Sequence, residues 1–375
     1  MQNIQIFDKY LKNSDIYNVI NNIVNNGHFD INDIINLLET KDIHNLGLLS
    51  NYLREQLFGN TVSFINNIIL NYTNVCITYC KFCAFYRPPN HEESYTVSKE
   101  EILNRIIFSK SSYDIKQVLF QGGHNPKLNI EYYEDIFKAI KAKCPDVAIH
   151  GLSASEIDMI ARVNRSSTFE VLERLKESGL DTLPGAGAEI LDDEVKKIIS
   201  PLKISSDTWL RIMEEAHTQG IKSSATMMYG TVETIEHRAR HLLKIANLQR
   251  KTGGFMAFIP WSFEPNKTEM QDKGLVNYPL GGFELLKMIS ISRILFNGLI
   301  DHLQSSWLTN GVGMAQLAIF HGSDDFGGTL IGEEVVSATG ARSTELLSSN
   351  IIKSIKSMGY IPAERDNEYR IIKRY

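Results

Sequence analysis

The chain has 375 residues and a formal net charge of −5, so it lacks the basic footprint of a nucleic-acid binder. Hydrophobic residues at 43% and charged residues at 22% give a globular balance, with room for one large domain or two ordinary ones. No apolar run reaches the ~18 residues of a membrane span, and the start of the chain has neither a basic segment nor an apolar core of a signal peptide. Four cysteines, three of them close together, do not make a disulfide framework, and free thiols point to the reducing cytoplasm.

Residues 1–60 read as a helical cap. Ile16, Val19, Ile20, Ile23 and Val24 recur at helical spacing until Asn26-Gly27. Asp30 is an N-cap for a second helix carrying Ile34, Ile35, Leu37 and Leu38. A third helix places Leu46, Leu49, Tyr52, Leu53 and Leu57 on one face and stops at Gly59. From Val62 the pattern becomes strand–loop–helix. A strand over 62–72 leads into the cysteines. Ser98 and Glu101 form a capping box for a helix with Ile102, Ile106 and Ile107 inward. Strands follow at 117–120, 147–150, 180–183, 221–228 and 255–259, alternating with helices over 130–143, 168–178, 207–219 and 234–250. Weaker strands are expected at 302–306 and 316–320. About eight strands alternating with helices, over a length near ~250 residues, predict an α/β fold, a (β/α)8 TIM-type barrel with an N-terminal helical extension. The expected division is a cap over 1–60, a barrel over 61–332, and a helical segment with a basic tail over 333–375. In such a barrel the C-terminal strand ends share one mouth, where active sites sit.

Cys76, Cys80 and Cys83 have the spacing C-x3-C-x2-C. Thiolates at these intervals suit a soft metal centre, because a tight loop can turn all three sulfurs inward. A [4Fe–4S] cluster has four irons, normally all capped by cysteine, so three local sulfurs leave one corner open. The alternatives are a zinc loop, with His91 as the nearest further ligand, or three buried thiols. Cys144, before Pro145, reads as a small apolar filler.

The loop, with Phe82 as its aromatic, resembles the cluster loop of radical S-adenosylmethionine (SAM) enzymes. The string from Cys80 to Arg87 is similar to that of the branch containing the menaquinone futalosine-pathway enzymes and the deazaflavin FO synthases. This resemblance implies a cluster on Cys76, Cys80 and Cys83, with SAM chelating the open iron. It also implies one-electron cleavage of SAM to a 5′-deoxyadenosyl radical, with a flavodoxin- or ferredoxin-type reductant as electron donor. Gly122 and Gly123 end a strand, where bare backbone can approach a ligand, and the resemblance gives them SAM's amino group. Glu189 is either a contact to SAM or a helix-start carboxylate. The stretch 226–233 resembles the segment beside the adenine, with Gly230 and Glu233 as the matching positions, Thr226 where the family has glycine and Met228 where it has isoleucine.

Three further stretches bear on the substrate. Ser153, Ser155 and Glu156 follow a strand and form either a capping box or contacts to ribose or substrate. His237 and His241 stand four apart on a helix without the glutamate of a zinc motif, and read as a solvated or packing face rather than a metal site. Residues 258–268, FIPWSFEPNKT, resemble the signature of the dehypoxanthine futalosine cyclases, and Trp261 is either a stacking platform for an aromatic ring or a rim packing residue. The implied reaction is radical hydrogen abstraction from a sugar and addition of the sugar radical to a benzoate ring. It calls for a base, with His124, Glu233, Asp324 and Asp325 as candidates, and an arginine for the benzoate carboxylate, with Arg87 and Arg293 as candidates.

Overall fold

Asn66 splits the first strand of the barrel, and the split decides what each half pairs with. The two halves are β1 (Thr61–Ile65) and β2 (Asn67–Asn71). The computed structural model describes residues 8–26, 28–341 and 345–375. Expectations for residues 1–7 and Gly27, and for the side chain of Val24, lie outside the described residues.

β2 opens a seven-stranded parallel sheet in sequence order with β3 (Gln117–Gln121), β4 (Ala148–Gly151), β5 (Thr182–Leu183), β6 (Lys222–Tyr229), β7 (Phe255–Ser262) and β8 (His302–Leu303). A parallel bridge from Gln304 to Asp325 carries the sheet to β9 (Asp325–Gly328), and β9 pairs with β1. Because β1 runs straight into β2, the ring closes as the expected (β/α)8 barrel. Helices Lys99–Tyr113, Ile130–Lys143, Ser206–Thr218, Ile235–Thr252 and Gly282–Phe296 make the crossovers, and helices Ala154–Asn164 and Thr168–Glu177 together make the one after β4. Polar caps fix several starts: Ser98, Asn129, Ser167, Ser205 and Thr234 each accept a backbone N–H of the first turn. At Ser98 only half of the expected box forms, since Glu101 turns to Arg105. Ile102 and Ile106 are buried, but Ile107 faces solvent.

The N-terminal helices are Tyr17–Asn26, Ile31–Glu39 and Ile43–Phe58. Asp30 and Asp33 form a reciprocal capping box at the second. Leu46, Leu49 and Leu53 are buried, whereas Leu57 is exposed. The second helix lies against Ile235–Thr252 and the third against Gly282–Phe296, so the cap covers one flank of the barrel.

Two expectations are corrected. The apolar run expected as a strand at 316–320 is part of helix Val312–Phe320, and the strand comes after it, as β9. A continuous apolar run has no period that separates a buried helix from a buried strand. The C-terminal segment is not a tail: helix Ser348–Ser357 leads into β10 (Ile361–Arg365) and β11 (Ile371–Arg374), an antiparallel hairpin. β10 pairs in parallel with β1 from Thr61 to Phe64, which is why β1 has no room for β3 and the pairing passes to β2. The hairpin's tip closes the N-terminal end of the barrel.

Candidate active site

The cysteine loop is built by hydrogen bonds that leave its sulfurs facing inward. Cys76 N–H donates to Arg87 O, Cys83 N–H to Cys80 O, and Ile77 N–H to His124 O. Arg87 donates to the carbonyls of Ala84, Phe85 and Tyr86 and pairs with Glu93, so it shapes the loop from outside. It does not line the cavity, and neither does buried Arg293, so no arginine expected for a carboxylate reaches it. The Thr78 hydroxyl lies 3.0 Å from the Cys76 sulfur and 3.5 Å from that of Cys80. Burial pushes the Cys80 thiol up to about 12 and raises that of Cys83, so without a cation these two stay protonated. Among the described residues the three sulfurs do not all lie within 4.8 Å of one another. Tetrahedral zinc, with Zn–S of about 2.3 Å, would draw them to about 3.8 Å. At least one pair of these sulfurs is therefore farther apart than a single zinc ion would hold it.

These sulfurs open on a cavity of about 390 Å³ at the C-terminal ends of the strands, lined also by Phe82, Gly122, Gly123, His124, Glu189 and Trp261. A Cβ on Gly123 would come within 2.3 Å of Val75 O, and one on Gly122 within 2.8 Å of the Tyr72 ring. Both glycines are thus demanded by the close approach of β3's end to the cysteine loop. Glu156, in its capping box with Ser153, accepts from Gly122 N–H and Tyr72 O–H, fixing that edge. Burial raises its pKa against those hydrogen bonds.

Glu189 sits at φ 45°, in the left-handed region, which points its carboxylate inward. One oxygen pairs with Lys203 at 2.6 Å; the other, Oε2, is buried with no hydrogen-bond partner among the described residues. An unpaired buried carboxylate oxygen facing the cavity is the acceptor a ligand's amine or hydroxyls would need. Burial opposes the Lys203 ammonium, yet Glu189 and Cys80 hold its pKa above the ordinary range. No sequence motif marks Lys203; only the fold brings it 5.6 Å from the Phe82 ring and beside the cysteines. His124 is buried, and burial with Lys203 and Arg162 lowers its pKa to about 3, so it is neutral.

Other expected site residues lie elsewhere. Glu233 spends both oxygens on Gly230 N–H, Thr231 and Arg238, locking the turn after β6. Met228 is buried with its N–H on Glu189 O, and neither it nor Gly230 lines the cavity. Ser155 is buried behind Gly187, its hydroxyl without a partner among the described residues, outside the cavity lining. Asp324 binds Arg293 and His302, and Asp325 binds Arg365 and Ser63, all at the barrel's lower end. The helix at 312–320 is the reason: Asp324 immediately precedes β9 and Asp325 is its first residue, instead of both following a strand. His237 caps its own helix and faces the carboxylates of Asp192 and Glu194, and His241 accepts from Leu191 N–H.

Residues 70–245 match the radical SAM superfamily, and residues 252–374 match the CofH/MqnC C-terminal region. The chain is 38% identical to the cyclic dehypoxanthine futalosine synthase of Streptomyces coelicolor, covering 95% of this chain and 88% of that one. The chain belongs to the radical SAM superfamily. It is 37% identical to a protein of the same name from Halalkalibacterium halodurans, over 95% of both. It is also 37% identical to the 5-amino-6-(D-ribitylamino)uracil--L-tyrosine 4-hydroxyphenyl transferase of Methanothermobacter thermautotrophicus, over 88% of this chain and 90% of that one. Among solved structures, methylornithine synthase superposes with TM-score 0.69 at 20% identity over 92% of this chain and 97% of that one. The [FeFe]-hydrogenase maturase HydG gives 0.72 at 18% over 96% and 78%. At these identities the structures show the fold alone. As a radical SAM enzyme the chain takes a [4Fe–4S] cluster and SAM, and the cysteine spacing and the free oxygen of Glu189 fit that pair. Among the described residues no helix is long and apolar enough to cross a membrane.

Proposed function

We propose that this enzyme cyclises dehypoxanthine futalosine to cyclic dehypoxanthine futalosine in menaquinone biosynthesis. The observation that carries this reading is the extent of similarity: 95% of the chain aligns with two enzymes of that name, against 85–90% with the 4-hydroxyphenyl transferases, at nearly equal identity. The segment around Trp261 speaks for the same branch.

Cys76, Cys80 and Cys83 would hold the cluster, and its fourth iron would hold SAM. When bound, the pair supplies a 5′-deoxyadenosyl radical. Glu189 Oε2 accepts from SAM, and Gly122 and Gly123 present the edge beside it. Trp261 offers its face to the benzoate ring. Of the expected bases only His124 lines the cavity, and as a neutral imidazole it can accept the ring proton. The cavity walls keep solvent from radicals. A flavodoxin- or ferredoxin-type donor and a cytoplasmic location belong to the same reading. The equal identity of the methanogen enzymes supports one rival, the 4-hydroxyphenyl transferase reaction; aminofutalosine synthase and FO synthase activities share the branch. Reconstituted protein is assayed anaerobically with SAM, a reductant and each substrate set. Cyclised product with 5′-deoxyadenosine is expected from dehypoxanthine futalosine; turnover only with 5-amino-6-(D-ribitylamino)uracil and tyrosine would reject the assignment.

A further inference from the structure

The cavity extends down to a layer of inward-facing side chains in register across neighbouring strands: Ile69, Leu119 and His150, with Thr182 beside His150. His150 is the polar member that lines the cavity. Its Nδ1 lies 2.7 Å from Thr182 Oγ1, and its Nε2 makes no hydrogen bond among the described residues.

A relay of hydrogen bonds beneath it fixes which nitrogen carries the proton. Leu330 N–H donates to Asn67 Oδ1 at 2.9 Å, so the Asn67 amide must turn its Nδ2 to Gln117 Oε1, also at 2.9 Å. Gln117 Nε2 then donates to Asn367 Oδ1 at 2.6 Å, and Asn367 Nδ2 donates to Thr182 Oγ1 at 3.0 Å. Thr182 has one proton left. Its shortest acceptor is His150 Nδ1, since Asn367 Oδ1 is at 3.2 Å and already accepts from Gln117. A backbone N–H, which cannot flip, thereby sets the sense of every amide up to the ring. A side chain at Gly328 would break the relay, because its Cβ would lie 2.2 Å from Asn67 Oδ1.

We infer that His150 is a substrate-positioning donor: its Nε2–H hydrogen-bonds an uncharged oxygen, hydroxyl or carbonyl, at the deep end of the substrate. Asn367, from the tip of the C-terminal hairpin, sets this tautomer. Burial and the nearby Arg365 lower the pKa of His150 to about 3, so the ring stays neutral. The other polar side chains that line the cavity at this floor are neutral too. Gln304, held through its Nε2 by Tyr369 at 2.9 Å, and Ser224 line it, while Arg365 is paired with Asp325. A carboxylate buried here would lack a free cation among the described residues, so the oxygen recognised is uncharged. The inference rests on the substrate reading above only for the identity of that oxygen's owner.

The holoenzyme with SAM is assayed with whichever substrate the wild type turns over, following product, 5′-deoxyadenosine and imidazole ¹⁵N shifts. H150A should raise KM about five- to a hundredfold, because it leaves a buried oxygen unpaired, with a smaller change in kcat. H150Q, whose amide can donate from the same place, should recover most of the loss. N367D cannot donate to Thr182, so it should invert the chain, move the proton to Nδ1 and raise KM as H150A does. KM within twofold of wild type in H150A, or a proton that stays on Nε2 in N367D, would overturn the inference. A wrong substrate silences the wild type itself, whereas a wrong role for His150 leaves wild type and H150A alike.

Discussion

The two ends of the barrel are built on opposite plans. At the mouth, chemistry comes from neighbours in sequence: Cys76, Cys80 and Cys83 on one loop, Gly122 and Gly123 on one strand end. Much of its polar capacity is unspent, with an oxygen on Glu189 that has no partner among the described residues and the Cys80 and Cys83 thiols that burial leaves protonated. At the floor, single residues from many strands meet the C-terminal hairpin, and the charges there are matched. Asp325 is paired with Arg365, whose guanidinium lies 3.7 Å from the Tyr369 ring centroid, and Asp324 with Arg293 and His302. Unspent capacity marks where ligands go; matched charge marks what holds the ring closed.

Variants at the two ends should therefore fail in different ways. The largest effect is expected at the mouth: C80A should cut 5′-deoxyadenosine formation by roughly a thousandfold or more through loss of a cluster ligand, while leaving the denaturation midpoint of the apoprotein nearly unchanged. At the floor, R365A should do the reverse. It leaves Asp325 buried and unpaired and should cost about 3–5 kcal/mol in urea unfolding, while the folded fraction still cleaves SAM. If R365A were as stable as wild type, the matched-charge account of the floor would fail.

A third test uses acid. Burial holds His217 at about 4 and, with Lys196 and Lys244 nearby, His241 at about 3, against 6.5 when unfolded. The unfolded chain therefore binds more protons across this window, so stability is full above pH 6.5 and falls as pH drops towards 3. Unfolding free energies at pH 7.5 and 5.5 should show that slope, and H241Q should flatten it. The smallest effect belongs to neither end: S98A removes one helix cap and should cost about 1 kcal/mol without altering turnover.

The mouth was legible in the sequence because its signal is local. The cysteine spacing, the Gly-Gly pair and Glu189 are short-range patterns, and all of them line the cavity. The floor was illegible because Asn67, Gln117, His150, Thr182 and Asn367 are ordinary polar residues until the register aligns them. One element moved several assignments. Reading 316–320 as strand would set Asp324 and Asp325 after a strand, at the mouth; the helix Val312–Phe320 leaves them at the start of the strand that follows, at the floor. Glu233 misled for another reason: its carboxylate is spent on backbone N–H groups of its own turn. Lys203 has no local pattern, and only the fold sets it against Glu189.

The central claim is that Cys76, Cys80 and Cys83 hold a cluster whose remaining corner belongs to SAM. Electron paramagnetic resonance of the reconstituted, reduced protein with and without SAM tests it most directly. A [4Fe–4S] signal whose g values shift when SAM is added, and which C80A abolishes, is predicted; a signal that ignores SAM would contradict it.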